Sequence, residues 1–258
     1  MGVVAPKNTE VLDLKGLHLY HSGISNCSMR VRIVLEEKGL DWESHHLNIL
    51  VKEHITPEYF GINPNGLVPT LVHDGVVIIE SDDIIDYIDD AFPDPPLKPA
   101  GESDREQMYY WLRKAVEIHV KAVKTYIYYK RVGKNMAHDA EEDEKYRNLQ
   151  TNPELLDFHR KSTTTGFTDE DVGKAKGILD DCFKTLDNQL SESEWIAGNE
   201  FSLADVAWMP LHFTLDKLAG YSFEPYANLG DWAHRISQRD SFQKAVLDWW
   251  PAHMGGKN

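Results

Sequence analysis

Apolar and polar residues alternate over 17–21 (Leu-His-Leu-Tyr-His), a period of two that predicts a short strand. The period then lengthens. Met29, Val31, Ile33, Val34 and Leu35 make the apolar side of a helix over 27–39, closed by Glu36, Glu37 and Lys38 and stopped at Gly39. Residues 42–49 read as a second strand. Thr56-Pro57-Glu58 opens a short helix, with the threonine as cap and the proline at the first position. Asn63-Pro64-Asn65-Gly66 is a turn, residues 67–72 form a strand with Pro69 near its start, and His73-Asp74-Gly75 turns tightly into Val76-Val77-Ile78-Ile79. Ser81 then caps a helix to about Ala91, with Ile84, Ile85, Tyr87 and Ile88 as its buried stripe.

The first 92 residues thus read β-α-β-α-β-β-α, an α/β unit with a mixed sheet. Pro93, Pro95, Pro96, Pro99 and Gly101 mark a linker, after which no strand signal returns. Helices are expected from Asp104 past Tyr129, then near 168–190, 202–219, 229–239 and 241–249. The expected domains are 15–93, α/β, and 104–252, all-helical. The polar run 133–151 reads as a solvated insertion and the first dozen residues as a flexible lead. Ser202 and Asp205 read as a buried capping box, a folding device.

A formal net charge of -15 argues against a nucleic-acid backbone or an anionic membrane as main partner. The two cysteines, Cys27 and Cys182, sit in different settings and are expected as free thiols. No segment has the pattern of a signal peptide or a membrane span, so a cytoplasmic protein is expected; no metal cluster is read.

The candidate chemistry gathers at Ser25-Asn26-Cys27-Ser28-Met29-Arg30, the start of the first long helix. A helix start carries unpaired N–H groups and partial positive charge, a favourable place for a sulfur anion. Ser25 could stabilise a bound thiolate with its hydroxyl. Cys27 could act through its own thiolate, or be a small apolar filler. If Val68-Pro69 is cis, the N–H and C=O of Val68 can face outward and pair with an extended peptide; the alternative is an ordinary turn. Glu80 suits an ammonium, and Ser81 with the helix start behind it suits a carboxylate, the two ends of a free α-amino acid; a plain N-cap is the alternative.

Four motifs resemble the soluble glutathione transferase superfamily, in order and over nearly the whole chain. Ser25 to Arg32 resembles its zeta-class pattern and overlaps the phi-class one. Asn63-Pro64-Asn65-Gly66-Leu67-Val68-Pro69-Thr70-Leu71 resembles its glutathione-backbone motif, Glu80-Ser81 its glutamate-binding pair, and Ser202-Leu203-Ala204-Asp205 its second-domain capping signature. The resemblance implies a thioredoxin-like first domain, a helical substrate domain, a homodimer, and glutathione as cosubstrate. It implies Ser25 and Cys27 as catalytic residues, Val68, Pro69, Glu80 and Ser81 at the peptide, and His54 with Lys52 at its glycine carboxylate. Ile55 departs from the phi pattern, which has lysine there. Arg30 would hold a substrate carboxylate, as in zeta-class enzymes, or form a structural ion pair.

The stretches Thr151-Asn152-Pro153-Glu154, Gly166-Phe167 and Trp195-Ile196-Ala197-Gly198 resemble bacterial β-etherases and tetrachlorohydroquinone dehalogenases. That implies thiolate attack on a small hydrophobic or aromatic electrophile, with Tyr109 and Tyr110 facing it over the thiol, though helix-packing core is the alternative for both. Aryl ether cleavage, zeta-like isomerisation of a dicarboxylate, reductive dehalogenation and non-catalytic glutathione binding all stay open at this point.

Overall fold

A computed structural model describes residues 2–132 and 140–254. Five strands, β1 (Val3–Val4), β2 (Leu17–His21), β3 (Glu43–His46), β4 (Thr70–His73) and β5 (Val76–Ile79), form one sheet in the order β1-β5-β4-β2-β3. Only β2 and β3 run parallel; the other pairs are antiparallel. Helices α1 (Asn26–Glu37), α2 (Pro57–Phe60) and α3 (Ser81–Ala91) complete this thioredoxin-like unit. The β4–β5 hairpin turns through Asp74 and Gly75, both at positive φ (48° and 83°), the geometry an Asp-Gly pair favours.

The helical unit follows as α4 (Glu102–Ile118), α5 (Thr125–Val132), α6 (Ala140–Leu149), α7 (Pro153–Arg160), α8 (Asp169–Leu190), α9 (Leu203–Ala219), α10 (Ala227–Ser237) and α11 (Asp240–Phe242). A π-helical turn, His119–Lys124, joins α4 to α5, and others follow α7 (Lys161–Thr165) and α11 (Gln243–Leu247). One core spans both units. The apolar side of α1 (Met29, Ile33, Val34) and of α3 (Ile84, Ile85, Ile88) meets Trp111, Ala115, Trp208 and Leu211, all buried. The capping box at α9 is complete. Asp205, fully buried, accepts from the N–H and hydroxyl of Ser202, from Ile196 N–H at 3.0 Å and from Trp232 Nε1 at 2.8 Å.

Two expectations are corrected. The first dozen residues are not a free lead: β1 adds to the open edge of β5, Ile79 N–H reaches the Gly2 carbonyl at 2.8 Å, and Val11 is buried. The charged run is not wholly solvated. Residues 133–139 lie outside the described residues, but Tyr146 on α6 is buried with Ile55 and Phe60 of the first unit, and Gln150 is 3% exposed. Glu144, Lys145 and Arg147 face water on one side of a helix whose other side docks.

Candidate functional site

The sheet register decides where the site lies. Tyr20 pairs with Thr70, and Thr70 with Ile79. The segment after β2 (to Ser25), the segment before β4 (Val68, Pro69) and the segment after β5 (Glu80, Ser81) therefore leave the sheet at one end.

Ser25 is the N-cap of α1: its Oγ accepts from Ser28 N–H at 3.3 Å, and the residue is half-buried, so the hydroxyl proton stays available to a ligand. The loop ahead of it is held rigidly. Arg32, fully buried, donates through Nη1 to the Ser22 carbonyl and His21 Nδ1 (each 3.0 Å), through Nη2 to the Gly23 carbonyl (3.0 Å) and through Nε to the Ala245 carbonyl (2.7 Å). His21 is consequently neutral, its pKa pushed down to about 2 by burial and by Arg32. The Trp249 ring meets His21 edge-on at 4.5 Å, and a Cβ at Gly23 would collide with the Trp249 carbonyl oxygen.

Val68–Pro69 is cis, and no intramolecular hydrogen bond to the Val68 N–H or C=O is found among the described residues. Tyr59 and Asn63 brace the segment by donating to the Leu67 carbonyl at 2.6 and 2.8 Å. Glu80 caps α3 at φ 65°, a left-handed conformation that turns its carboxylate away from the helix toward Asn65, whose Nδ2 donates to Oε1 at 3.1 Å. Partial burial and the neighbouring Asp82 and Asp83 raise the Glu80 pKa. Ser81 is the first residue of α3 and not its cap. Its Oγ accepts from Arg30 Nη1 at 3.1 Å, which aims the hydroxyl proton outward.

Arg30 does not reach a substrate. It is fully buried, with Nε on the Ala207 carbonyl (3.0 Å) and Nη2 on the Ala115 carbonyl (3.5 Å) in addition to Ser81. Its position one turn into α1 faces the core between the units, so it braces Ser81 from behind, without a carboxylate partner among the described residues. Tyr109 and Tyr110 are also misplaced by the sequence reading. Tyr109 donates to Asp86 at 2.8 Å in the seam of α3 and α4, and Tyr110 is 55% exposed. At a helical rise of about 1.5 Å per residue they lie roughly 14 Å down the helix from the turn that meets the thiol site.

That turn supplies residues the sequence reading missed. His119 Nδ1 stands 3.6 Å from Cys27 Sγ, and His119 is buried and held neutral by burial, Lys124 and Arg30. Lys124 follows five residues later. In an α-helix five residues turn about 140° past one revolution. In a π-turn residues i and i+5 are hydrogen-bonded over one another. Lys124 thus comes round to the side of His119, where Cys27, Glu80 and His54 all act on it electrostatically. Burial lowers the Lys124 pKa, opposed by Cys27 and Glu80. His54 is half-buried, with Nδ1 shielded from water and without a hydrogen-bond partner among the described residues, and burial, Lys124 and Lys52 push its pKa to about 4. His54 is therefore neutral near pH 7. Both cysteines are free thiols, Cys182 buried in α8 and Cys27 half-buried at the site. No helix among the described residues is long and apolar enough to cross a membrane.

Comparison with known proteins agrees with this geometry. Residues 19–96 match the family model of the glutathione S-transferase N-terminal domain, and residues 137–240 that of the C-terminal domain. Glutathione S-transferase Z2 of Arabidopsis thaliana is 30% identical over 234 residues, spanning 89% of this chain and 90% of the relative. Tetrachloro-p-hydroquinone reductive dehalogenase of Sphingobium chlorophenolicum is 26% identical over 240 residues, 88% of this chain and 94% of the relative. The crystal structure of beta-etherase LigF from Sphingobium sp. strain SYK-6 superposes with a TM-score of 0.79 at 28% identity, covering 89% of this chain and 98% of that one. A thioredoxin-like unit with an open edge at Val68, followed by a helical unit docked along α1 and α3, carries both halves of one family, and this chain belongs to the glutathione S-transferases, whose members use glutathione as cosubstrate.

Proposed function

We propose that this chain is a glutathione transferase in which the tripeptide lies along the edge at Val68, its γ-glutamyl end at Glu80 and Ser81, its glycyl carboxylate near Lys52 and His54, and its sulfur at Ser25. The observation that carries the reading is the register Tyr20–Thr70–Ile79, which brings the segments at Ser25, Val68 and Glu80 to one end of the sheet. A free thiol with a pKa near 8.5 is mostly protonated at neutral pH. A hydrogen bond to the anion, worth roughly 1.5–3 kcal/mol, makes much of it thiolate. Ser25 supplies that bond and the start of α1 supplies the field. The thiolate attacks an electrophilic carbon of a hydrophobic, aromatic substrate; with an aryl ether the C–O bond breaks, a phenolate leaves, and Lys124 is the cation placed to meet it. The likeness to beta-etherase LigF favours this substrate class over the others.

The test is an ultraviolet titration of the glutathione complex, which reads the thiolate directly, with a panel of aryl ethers, maleyl acids and haloaromatics. Wild type should titrate well below the free thiol, and Ser25→Ala should raise that pKa by about one to two units. An unchanged titration in Ser25→Ala would remove Ser25 from the mechanism.

A second reading is favoured by the Cys27–His119 contact: Cys27 thiolate attacks glutathione disulfide, forms a mixed disulfide and releases one glutathione thiolate. It uses the same ligand pocket.

A further inference from the structure

Gln150, between α6 and α7, is a buried polar residue at the seam of the two units, and burying an amide is costly unless its hydrogen bonds are made. They are made, and their partners are specific. Nε2 donates to the Asn65 carbonyl at 2.8 Å, while Oε1 accepts from Asn152 N–H at 2.8 Å, at the start of α7. Asn65 in turn donates from Nδ2 to Glu80 Oε1. One chain of hydrogen bonds therefore runs from the helical lobe, through the Asn63–Gly66 turn, to the carboxylate that would meet the ligand's ammonium.

The lobe is fixed well enough to transmit position. Tyr146 meets Phe60 edge-on at 6.5 Å and stacks on His159 at 4.1 Å, and His159 Nε2 lies 2.8 Å from Asp143 Oδ1. Phe60 also presses on the turn itself, since a Cβ at Gly66 would collide with its ring. Glu80 needs such a guide. Its backbone holds a left-handed conformation, and Asn65 Nδ2 is the side-chain donor that the structure gives its carboxylate.

We propose that Gln150 is a positioning residue for recognition of the α-amino end of glutathione, acting through Asn65 on Glu80. The inference rests on the proposed placement of the γ-glutamyl unit at Glu80 and Ser81. It gives the helical lobe a ligand-specific role: affinity for the ammonium depends on a residue that never touches it.

The test compares calorimetric binding of glutathione with that of glutaryl-cysteinylglycine, which lacks only the α-amino group, in wild type, Q150L, Q150A, N65A and the Q150A/N65A pair, each checked by thermal melting. Wild type should prefer glutathione. Q150L or Q150A should weaken glutathione about tenfold, as loss of alignment in a charge-assisted pair does, and leave the analogue unchanged. Q150A has room for water at the Asn65 carbonyl and the Asn152 amide, and keeps the test open if Q150L does not fold. N65A should lose the same discrimination, and the pair no more than N65A alone, the non-additivity of groups acting in series. A wild type that binds both compounds equally overturns the placement at Glu80 and this inference with it. A wild type that discriminates, with Gln150 variants that lose affinity for both compounds alike or for neither, overturns this inference alone.

Discussion

Cys27 Sγ and His119 Nδ1 face each other at 3.6 Å across the seam between the two units. The contact joins the first turn of α1 to the first residue of the π-turn, so it forms only when the units are docked. A neutral imidazole can donate its ring N–H to the sulfur anion, and attack on a disulfide needs the thiolate. His119→Phe removes that hydrogen bond and should slow alkylation of Cys27 by iodoacetamide about tenfold, the effect of losing one hydrogen bond to a sulfur anion. Cys27→Ser should abolish the mixed disulfide with glutathione seen by mass spectrometry and spare conjugation. Conjugation lost in Cys27→Ser would move the chemistry from Ser25 to Cys27.

Lys124 should act on the anion and not on the fold. Removing a cation close to a thiolate raises the thiol pKa by about one unit. Lys124→Met should therefore lower kcat/KM about tenfold at pH 7 and approach wild type at pH 9, where the thiol ionises unaided. Lys124→Arg should retain most of the rate. A deficit of equal size at both pH values would show that Lys124 serves packing instead.

Arg30 should behave as a structural residue. Arg30→Met leaves the Ala207 and Ala115 carbonyls without their donors and should cost about 2–4 kcal/mol in denaturant unfolding. Turnover of carboxylated and uncharged electrophiles should fall together. A selective loss of the carboxylated ones would restore Arg30 to the substrate pocket.

His212 sets part of the acid limit of the fold. It stacks on Phe223 at 3.9 Å, and burial holds its pKa at about 4, below the 6.5 of an exposed histidine. The unfolded chain therefore binds the proton first as pH falls. Stability is full above about 6.5 and declines toward 4, by about 2 kcal/mol between pH 7 and pH 5 for this residue. His212→Phe should flatten the profile over that interval. An unaltered slope would mean that the other buried histidines carry it.

The first unit was legible because its signals are local. An Asp-Gly turn, a threonine cap before proline, a proline at a strand start and an acidic-serine pair at a helix start each force a conformation within a few residues. The register that gathers them follows from the strand order of the family. The second unit was legible as helices and not as a site. The aromatic pair Tyr109 and Tyr110 has helical spacing, but spacing does not say which level of the helix meets the thiol. His119 and Lys124 were invisible because a reading at 3.6 residues per turn places them on different sides, and nothing in His119–Lys124 announces a π-turn. The charge of 133–151, taken as an average, concealed Tyr146 and Gln150, which dock. Arg30 looked like a substrate ligand because the motif around it matched; only its complete burial reveals that it faces inward.

The clamp on the loop before Ser25 has a consequence for the order of events during synthesis. Arg32 needs the Ala245 carbonyl, the Trp249 carbonyl packs against Gly23, and both partners are synthesised more than 200 residues after the loop they hold. The sheet can assemble early, yet the hydroxyl that would hold the thiolate takes up its place only once the C-terminal segment has come home, so a nascent first unit carries its ligand edge without a finished reaction centre.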